Sequence, residues 1–574
     1  MRVVATAGHV DHGKSSLVLA LTGTDPDRFA EEKRRGLTID LGFAHTTLPN
    51  GMEISLIDVP GHVRFVRNML AGVGGIDACL FVVAATDAWM PQSEEHLRIV
   101  DLLGVKDGVI ALTKIDLADE DSIEIATLDI LQHTTGSLLD GAPIVPVSAI
   151  TGEGIDRLRD ELGALVERTL AFVDRGRPRL WVDRVFAAKG SGTVVTGTLT
   201  GGGLNTDDIV SVASRHDVIR VRAIQTHGAN VAAIGPGNRV ALNLVGVDHT
   251  DVERGDAIVR ADQWSPTRRF DATLHVLAQL GHKVSRRGAY AAYIGSGEFN
   301  ARVRVIGGES IAAGETGLLR VHLDHPVPLL PGDRFILRES GRSETVGGGE
   351  VLDIHPVLPA SKANPDRNVD RLIAERGWTT AADFERLTGD QRAPDIGEWV
   401  ASPAAIEALR QSVIDRVRAA GPMGVDLAGL DARERALLPS TESLAIDTGR
   451  VRLAGQTDPL ADHPFVAALR NAGYSPPEPS GIDRAQLRQL VRQGLIVERD
   501  GVYFHADTID AAAALAARLV AEHPEGFTVA QFRDATQSTR KHVIPLVAEL
   551  DARGITRRRD DLRIAGPRLP GRNG

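Results

Sequence analysis

Residues 8–16 read GHVDHGKSS and follow a short apolar stretch, Val3–Ala7. Residues 8–15 match the pattern G-x-x-x-x-G-K-[ST], a glycine-rich turn whose backbone N–H groups close around phosphates. Lys14 is expected to reach the β- and γ-phosphates, and the Ser15 hydroxyl is expected to bind Mg²⁺. A strand before the motif and a helix opening at Ser15 predict an α/β nucleotide-binding domain with a positive helix end at the phosphates. The candidate phosphate-binding residues are Gly8, His9, Val10, Asp11, His12, Gly13, Lys14, Ser15 and Ser16.

Residues near the ends of two later segments are expected to complete the phosphate and metal site. Asp58 ends the apolar run that starts at Ile54 and supplies an acid beside the metal, and the amide of Gly61 can sense the γ-phosphate. Thr38 is the candidate switch threonine, which would bind Mg²⁺ together with Ser15 and Asp58. An isolated threonine at this position could equally form a turn or a helix cap.

The base is expected to bind at the ends of two further strands. Asp116, in the segment Thr113-Lys114-Ile115-Asp116, can accept hydrogen bonds from guanine N1–H and the exocyclic amine, a donor pair that adenine lacks. Lys114 can lie over the ring, and the backbone of Ser148-Ala149 can meet the guanine O6. These residues predict GTP and GDP, with Mg²⁺, as the cofactors.

The remaining chain changes character twice. Residues 1–173 alternate strand and helix patterns, which predicts a parallel sheet. Residues 174–262 and 263–358 consist of short Val-, Ile- and Thr-rich runs between Gly, Asn and Asp turns, the pattern of two antiparallel β-barrels. Residues 359–574 read as helices followed by short β hairpins, which predicts tandem α+β winged-helix modules, the last at about 506–574.

The basic residues of the last module predict an RNA-binding surface. Residues 536–574 hold nine Arg or Lys against four Asp or Glu, although the whole chain has a net charge of −11. Thr528–Asp534 reads as one helix, and Ser538 as the cap of a second helix that runs to Arg553. The candidates at the start of this second helix are Arg540, Lys541 and His542, and those on the wing are Arg557, Arg558, Arg559 and Arg563. A solvated basic tail is the alternative.

Composition sets the broad class. The chain has 574 residues, 43% of them hydrophobic, and its single cysteine, Cys79, excludes an intrachain disulfide. No apolar run is long enough for a membrane helix, and phosphate-binding residues begin at Gly8. We therefore expect a cytoplasmic protein with no membrane partner.

The motifs GHVDHGKSS, RRGLTID, DVPGH, TKID and SAI resemble those of the elongation-factor branch of GTPases, close to EF-Tu. The resemblance implies that His62 is the catalytic histidine, which orients the attacking water, and that Val10 and Leu37 form an apolar gate that holds it back until the ribosome engages. A surface histidine is the alternative. The chain departs from that branch at Thr113, where asparagine is usual, so nucleotide affinity is expected to differ while guanine selection persists.

The second domain contains a signature shared by several translation factors, WVDRVF at 181–186 followed by GSGTVVTG at 190–197. In EF-Tu this face holds the amino acid esterified to tRNA, and the resemblance places Asp183, Arg184, Arg239 and His45 at that pocket. Two arginines suit an anionic side chain such as a selenolate, and an arginine facing neutral serine would be left unpaired. Ordinary salt-bridge roles for both arginines are the alternative.

The order of a GTPase domain, two barrels and a winged-helix extension resembles the bacterial selenocysteine-specific elongation factors over essentially the whole chain. The resemblance implies selenocysteinyl-tRNA, an mRNA insertion-signal hairpin beside an in-frame UGA codon, and the ribosome as partners of a monomeric GTPase. The alternatives are a general EF-Tu-like or initiation-type translational GTPase, a sulfate-activating GTPase, and a GTP-sensing winged-helix regulator that binds DNA.

Overall fold

The structure is a computed structural model that describes residues 2–26, 41–60, 76–169, 173–188, 192–215, 217–342, 344–447, 449–456, 460 and 462–570. The chain forms two compact units, Met1–Ser402 and Pro403–Gly574. No helix in the described ranges has both the length and the hydropathy that crossing a bilayer requires.

The first domain is a six-stranded sheet covered by helices on both faces. The strand order is β2-β3-β1-β4-β5-β6, and only the β2–β3 pair is antiparallel. Adjacent residues of β4, such as Phe81 and Val82, face two different apolar cores. The predicted α/β domain is therefore confirmed. The strands are β1 Arg2–Ala7, β2 Gly42–Thr47, β3 Glu53–Asp58, β4 Ala78–Ala84, β5 Gly108–Thr113 and β6 Ile144–Pro146, and the helices are α1 Lys14–Thr22, α2 Pro91–Leu102, α3 Glu120–Thr134 and α4 Ile155–Arg168.

The next segment forms an antiparallel barrel in the order β10-β15-β7-β8-β14-β11, closed by the pairing of β11 with β10. Its alternating residues fill a core of mainly valine, leucine and isoleucine. The strands of this segment are β7 Arg179–Ala188, β8 Gly192–Thr200, β9 Leu204–Asn205, β10 Ile209–Val212, β11 Ile219–Thr226, β12 Ala229–Val231, β13 Ala233–Ile234, β14 Asn238–Val245 and β15 Ala257–Val259.

A second closed barrel follows, in the order β16-β21-β19-β18-β22-β23. The two predicted antiparallel barrels are thus confirmed. The strands of this segment are β16 Thr267–Val276, β17 Val284–Ser285, β18 Tyr290–Ile294, β19 Gly297–Ile306, β20 Ser310–Ile311, β21 Thr316–Val327, β22 Arg334–Glu339 and β23 Glu344–Asp353.

A cation–π and ion-pair contact joins the two barrels. The Arg179 guanidinium donates to both carboxylate oxygens of Asp333 at 2.6 and 2.7 Å. The same group lies over the rings of Trp181 and Trp264, 5.3 and 4.9 Å from the centroids. Because the pair is bidentate and largely shielded from water, it fixes the orientation of one barrel against the other.

Charged side chains that are almost fully buried join strands within the second barrel and attach the following helical segment to it. Arg320 on β21 donates to both oxygens of Asp271 on β16, at 2.6 and 2.9 Å. Arg376 donates to the carboxylate of Asp353 at 3.2 Å and to the carbonyl of His355 at 2.6 Å. This segment contains α5 Val369–Arg376, β24 Trp378–Thr380, α6 Ala381–Thr388 and β25 Trp399–Ala401.

The second unit repeats helices followed by small sheets, in agreement with the expected winged-helix architecture. Its three sheets have the orders β26-β28-β27, β29-β30 and β31-β33-β32. The helices are α7 Pro403–Ala419, α8 Ala432–Leu437, α9 Pro464–Ala472, α10 Arg484–Arg492, α11 Ala506–Glu522, α12 Val529–Thr536 and α13 Arg540–Ala552. The strands are β26 Val425–Asp426, β27 Leu444–Asp447, β28 Arg450–Leu453, β29 Ile496–Arg499, β30 Val502–His505, β31 Phe527–Thr528, β32 Thr556–Arg559 and β33 Leu562–Ala565.

Two predicted helix starts were wrong. Helix α1 begins at Lys14 instead of Ser15, because Gly13 adopts a left-handed φ of 84° and is itself the N-cap residue. Ser538 does not cap α13: Thr539 is the N-cap residue, and the Ser538 hydroxyl donates to the Tyr474 carbonyl at 2.7 Å. In both cases a contact or backbone angle outside the helix decides where the helix begins.

The Asp271–Arg320 pair gives a stability prediction. Arg320→Met should destabilise the second barrel by about 3–5 kcal/mol, because it leaves the Asp271 carboxylate buried without its cation. Hydrogen exchange of the β16 and β21 amides in the full-length protein would measure the loss. Arg320→Met/Asp271→Leu should recover much of the protection, and equal exchange in the single and double variants would contradict this account.

Candidate functional site

The phosphate loop lies between β1 and α1 in a shape that requires glycine at its start. Gly8 has φ 132°, and a Cβ there would lie 2.1 Å from the Val82 carbonyl oxygen. The Lys14 ammonium lies back across the loop and donates to the carbonyls of Gly8 and His9, at 3.1 and 2.7 Å. The Lys14 ammonium is therefore bound by carbonyl groups of the loop itself.

The two described metal-site candidates are in contact. The Ser15 hydroxyl donates to Asp58 at 2.7 Å, and the Thr6 hydroxyl donates to the other Asp58 oxygen at 2.8 Å. Ser16 follows on α1 and is exposed. The other candidates here, Thr38, Gly61 and His62, lie outside the described residues, as does the gate residue Leu37.

The base end of the site shows how Thr113 serves in place of asparagine. Its hydroxyl donates to the His12 carbonyl of the phosphate loop at 2.6 Å, and the side chain is 2% exposed. Lys114 adopts a left-handed φ of 58°, and its ammonium lies 3.4 Å from Asp87. Thr113 thus ties the segment that contains the base-site candidates to the phosphate loop through one hydrogen bond.

The remaining base-site candidates are ordered by local turns. Asp116 is exposed in the one-turn helix Ile115–Leu117 that follows β5. The buried Ser148 hydroxyl accepts from the amides of Ile150 and Thr151 at 3.3 and 3.1 Å, and Ala149 follows it, partly exposed. These hydrogen bonds stabilise the conformation of the turn that follows β6.

Both arginines of the predicted second pocket line one cleft between β2 and the first barrel. The cleft has a volume of about 370 Å³. The guanidinium carbons of Arg239 and Arg184 lie 3.4 and 5.0 Å from the centroid of the Phe43 ring. The Arg184 guanidinium also donates to the Leu41 carbonyl at 2.5 Å. His45 lines the same cleft.

Asp183 corrects the expectation that Arg239 would be left unpaired opposite a neutral cargo. Arg239 donates to both Asp183 oxygens, at 2.5 and 2.9 Å, and Asp183 is 8% exposed. Consecutive residues of a strand normally face opposite sides, but the register of β7 against β8 shifts between Val182 and Arg184. Near this irregularity, Asp183 pairs with Arg239 while Arg184 lines the cleft.

Phe43 and His227 were missed by the sequence analysis. Phe43 lies two residues before His45 on β2, so strand alternation alone places both on one face. The His227 ring stacks on His45 with centroids 4.2 Å apart and lies 3.0 Å from the Ser55 hydroxyl. Burial lowers the pKa of His227, so the ring is neutral at neutral pH. Its position in a turn with φ 49° gave no sequence signal.

The second barrel carries a basic cleft that the sequence analysis also missed. Its volume is about 730 Å³, and the lining includes one acidic residue, Glu309. The lining cations are Lys283, Arg286, Arg287 and Arg304. Lys283 directly precedes β17, Arg286 and Arg287 lie in the turn between β17 and β18, and Arg304 lies on β19, so the cleft combines cations from two separate stretches of the sequence.

The basic candidates of the last module divide into two groups. Arg557, Arg558 and Arg559 are exposed on β32, an edge strand. Arg563 is held at 2.8 Å by Asp551, and Lys541 pairs with Glu478 at 2.7 Å. Arg540 is exposed and His542 half-buried at the start of α13. The β32 arginines thus present their charge to solvent, while Arg563 attaches the wing to its helix.

Comparisons with protein families match three parts of the chain. Residues 1–168 match the elongation factor Tu GTP-binding domain, residues 263–357 the selenocysteine-specific elongation factor β-barrel domain, and residues 518–565 the elongation factor SelB winged helix.

Individual proteins match over greater lengths. The selenocysteine-specific elongation factor of Desulfomicrobium baculatum is 32% identical over 98% of this chain and 99% of its own length. That of Escherichia coli K12 is 34% identical over 71% of this chain and 66% of its own length. A crystal structure of bacterial selenocysteine-specific elongation factor EF-Sec superposes with a TM-score of 0.76 at 27% identity, covering 98% of this chain and 99% of that one. The chain therefore belongs to the selenocysteine-specific elongation factors, guanine-nucleotide-binding translational GTPases of the EF-Tu type.

Proposed function

We propose that the GTP-bound protein carries selenocysteinyl-tRNA to the ribosome at UGA codons marked by an mRNA hairpin, with the aminoacyl end in the cleft beside Phe43. The observation that carries the proposal is the placement of Arg184 and Arg239 on one aromatic ring in one cleft. The D. baculatum and E. coli relatives are named for selenocysteine specificity, which supports the same cargo.

The charge of the cleft suits a selenolate. Selenols are more acidic than thiols, so selenocysteine is anionic at neutral pH, whereas serine is neutral. Asp183 offsets one guanidinium charge, and a selenolate would place a second negative charge opposite the arginine pair. Charge-assisted hydrogen bonds are about twice as strong as neutral ones, so the anion gains contacts that serine cannot match.

The nucleotide site of the first domain would control when the tRNA is released. The oxygen atoms of Ser15 and Asp58, 2.7 Å apart, are the hard ligands that Mg²⁺ prefers, and Thr38 is proposed as a third. Mg²⁺, when bound, would offset the negative charge of the β- and γ-phosphates. His62 is proposed to orient the attacking water once the ribosome engages, and relaxation of the switch segments would then release the tRNA.

Basic surfaces outside the aminoacyl cleft can bind the RNA partners. We propose that the basic cleft of the second barrel binds the tRNA backbone and that the β32 arginines bind the mRNA hairpin. Because one monomeric chain would hold both RNAs, binding of the hairpin raises the effective concentration of the loaded factor near a single codon.

Arg184→Met gives the sharpest test of the cargo assignment, since Arg239→Ala would also leave the buried Asp183 carboxylate without its cation. Wild type should bind selenocysteinyl-tRNA about 100-fold more tightly than seryl-tRNA, a difference of about 3 kcal/mol. The variant should lose most of that ratio while binding seryl-tRNA nearly as well as wild type. Equilibrium titration in the presence of a non-hydrolysable GTP analogue would measure both affinities.

Arg222→Met is the matched control, because Arg222 is exposed on β11 of the same barrel and does not line the cleft. It should retain the wild-type ratio. Equal affinity of wild type for the two aminoacyl-tRNAs would refute the proposed cargo and favour a general translational GTPase.

Thr113→Val should speed GDP release about fivefold, since it removes one hydrogen bond worth about 1 kcal/mol between the base-binding segment and the phosphate loop. Thr113→Asn should restore slow release, and all three proteins should still prefer guanine to adenine. Stopped-flow release of fluorescent GDP would measure this. Thr134→Val, which removes a buried hydroxyl bonded only within α3, is the control and should behave as wild type.

Replacing Arg557, Arg558 and Arg559 together by glutamine should weaken binding of the message hairpin and reduce the salt dependence of binding, because fewer phosphate counterions are released. Arg518→Gln, at an exposed arginine on α11, should change neither quantity. Filter binding at several salt concentrations would measure both. Tighter binding of duplex DNA than of the hairpin would instead support the DNA-binding regulator.

A further inference from the structure

A contact between His45 and His227 joins the nucleotide-binding domain to the first barrel. The two rings stack with their centroids 4.2 Å apart and an angle of 2° between their planes. The Nε2 atom of His227 also lies 3.0 Å from the hydroxyl oxygen of Ser55, the residue that pairs with His45 across the β2–β3 ladder. Ser55 is 3% exposed. Two neighbouring strands of one domain therefore contact a single side chain of the other.

His227 occupies a turn position that favours other residue types. It is the first of the two residues that connect β11 to β12 and has φ 49°, and Gly228 follows it with φ 78°. A two-residue hairpin turn with two positive φ values favours asparagine, aspartate or glycine at its first position. The stack on His45 and the contact with Ser55 offset this local cost. The side chain therefore serves a contact outside its own turn.

The contact favours an uncharged His227 ring. Burial lowers the pKa of His227, a charge on His45 and the charge of the amino terminus lower it further, and Glu53 of β3 raises it. Arg184 and Arg239 are cations that line the same cleft. Because the pKa of His227 in the contact is lower than its ordinary value of 6.5, the contact is at full strength above pH 6.5 and weakens as the pH falls below it.

We propose that the His45–His227 stack is a titratable contact that holds the β11–β12 turn of the first barrel against β2 and β3, and that it opens when His227 binds a proton. His45, His227 and Ser55 all line the cleft beside Phe43, so opening would admit solvent to this part of it. His45 lies two residues after Phe43 on the same face of β2, so the contact borders the ring on which both arginines lie. This inference concerns a contact between two domains and holds whatever the cargo.

Hydrogen exchange of the full-length protein at about pH 7.5 and about pH 5.5, corrected for the intrinsic exchange rate at each pH, tests the proposal. Strands β2 and β12 are suitable reporters, because each pairs with one neighbouring strand and lies at the contact. Protection of their amides should fall about tenfold at the lower pH, the most that one proton contributes one unit below the ordinary pKa. Amides of β4 and β5 should keep their protection. Equal protection of β2 and β12 at both pH values would overturn the proposal.

Two variants separate the charge from the stack. His45→Phe keeps a stacked ring of similar size without the facing charge, so protection at the higher pH should remain and its loss at the lower pH should become smaller. His227→Asn suits the turn better but cannot stack, so β2 and β12 should exchange faster than in wild type at both pH values, with little difference between them. His249→Gln, at an exposed histidine of the same barrel, is the control and should keep the wild-type pH dependence. A wild-type pH dependence that persists in His227→Asn would also overturn the proposal.

Discussion

Two guanidinium groups of like charge can share a small cleft only where something offsets their repulsion. Here one buried carboxylate, Asp183, and one aromatic face, Phe43, supply the offset. The carboxylate belongs to the first barrel and the aromatic ring to the nucleotide-binding domain, so the cleft exists only where the two domains meet. Arg184 strengthens this dependence by donating to the backbone of Leu41, three residues after the candidate switch threonine. Under the proposed function, cargo recognition and nucleotide state would therefore be linked through the same few atoms.

The rest of the first unit keeps that junction in place. Arg179 joins the barrels through Asp333 and two tryptophan rings, and the buried Asp271–Arg320 pair joins two neighbouring strands of the second barrel. Buried pairs of this kind add little net stability. They allow few alternative arrangements of the strands, because any other arrangement would leave a buried charge without its partner. The first barrel therefore supplies one wall of the cleft, and the nucleotide-binding domain supplies the other through Phe43 and His45.

The sequence predicted the parts of this protein that depend on local patterns. The phosphate loop, the parallel sheet, both barrels and the winged-helix hairpins follow from spacing, alternation and turn residues. Contacts between distant segments were not predictable in this way. The Arg239–Asp183 pair joins β14 to a strand irregularity on β7, and the basic cleft of the second barrel gathers cations from separate segments. Ser538 shows the same limit on a small scale, because its hydroxyl is bound by a carbonyl 64 residues away instead of capping its own helix.

The edge strand β32 has a consequence beyond RNA binding. An unpaired strand edge offers N–H and C=O groups to any other strand, which is how folded domains begin to aggregate. Three consecutive exposed arginines line this edge. Two copies that approached edge to edge would bring two rows of positive charge together. The arginines therefore repel a second copy of the strand, whereas they attract a polyanion. The same charge that is proposed to bind the message hairpin would therefore also oppose self-association through this edge.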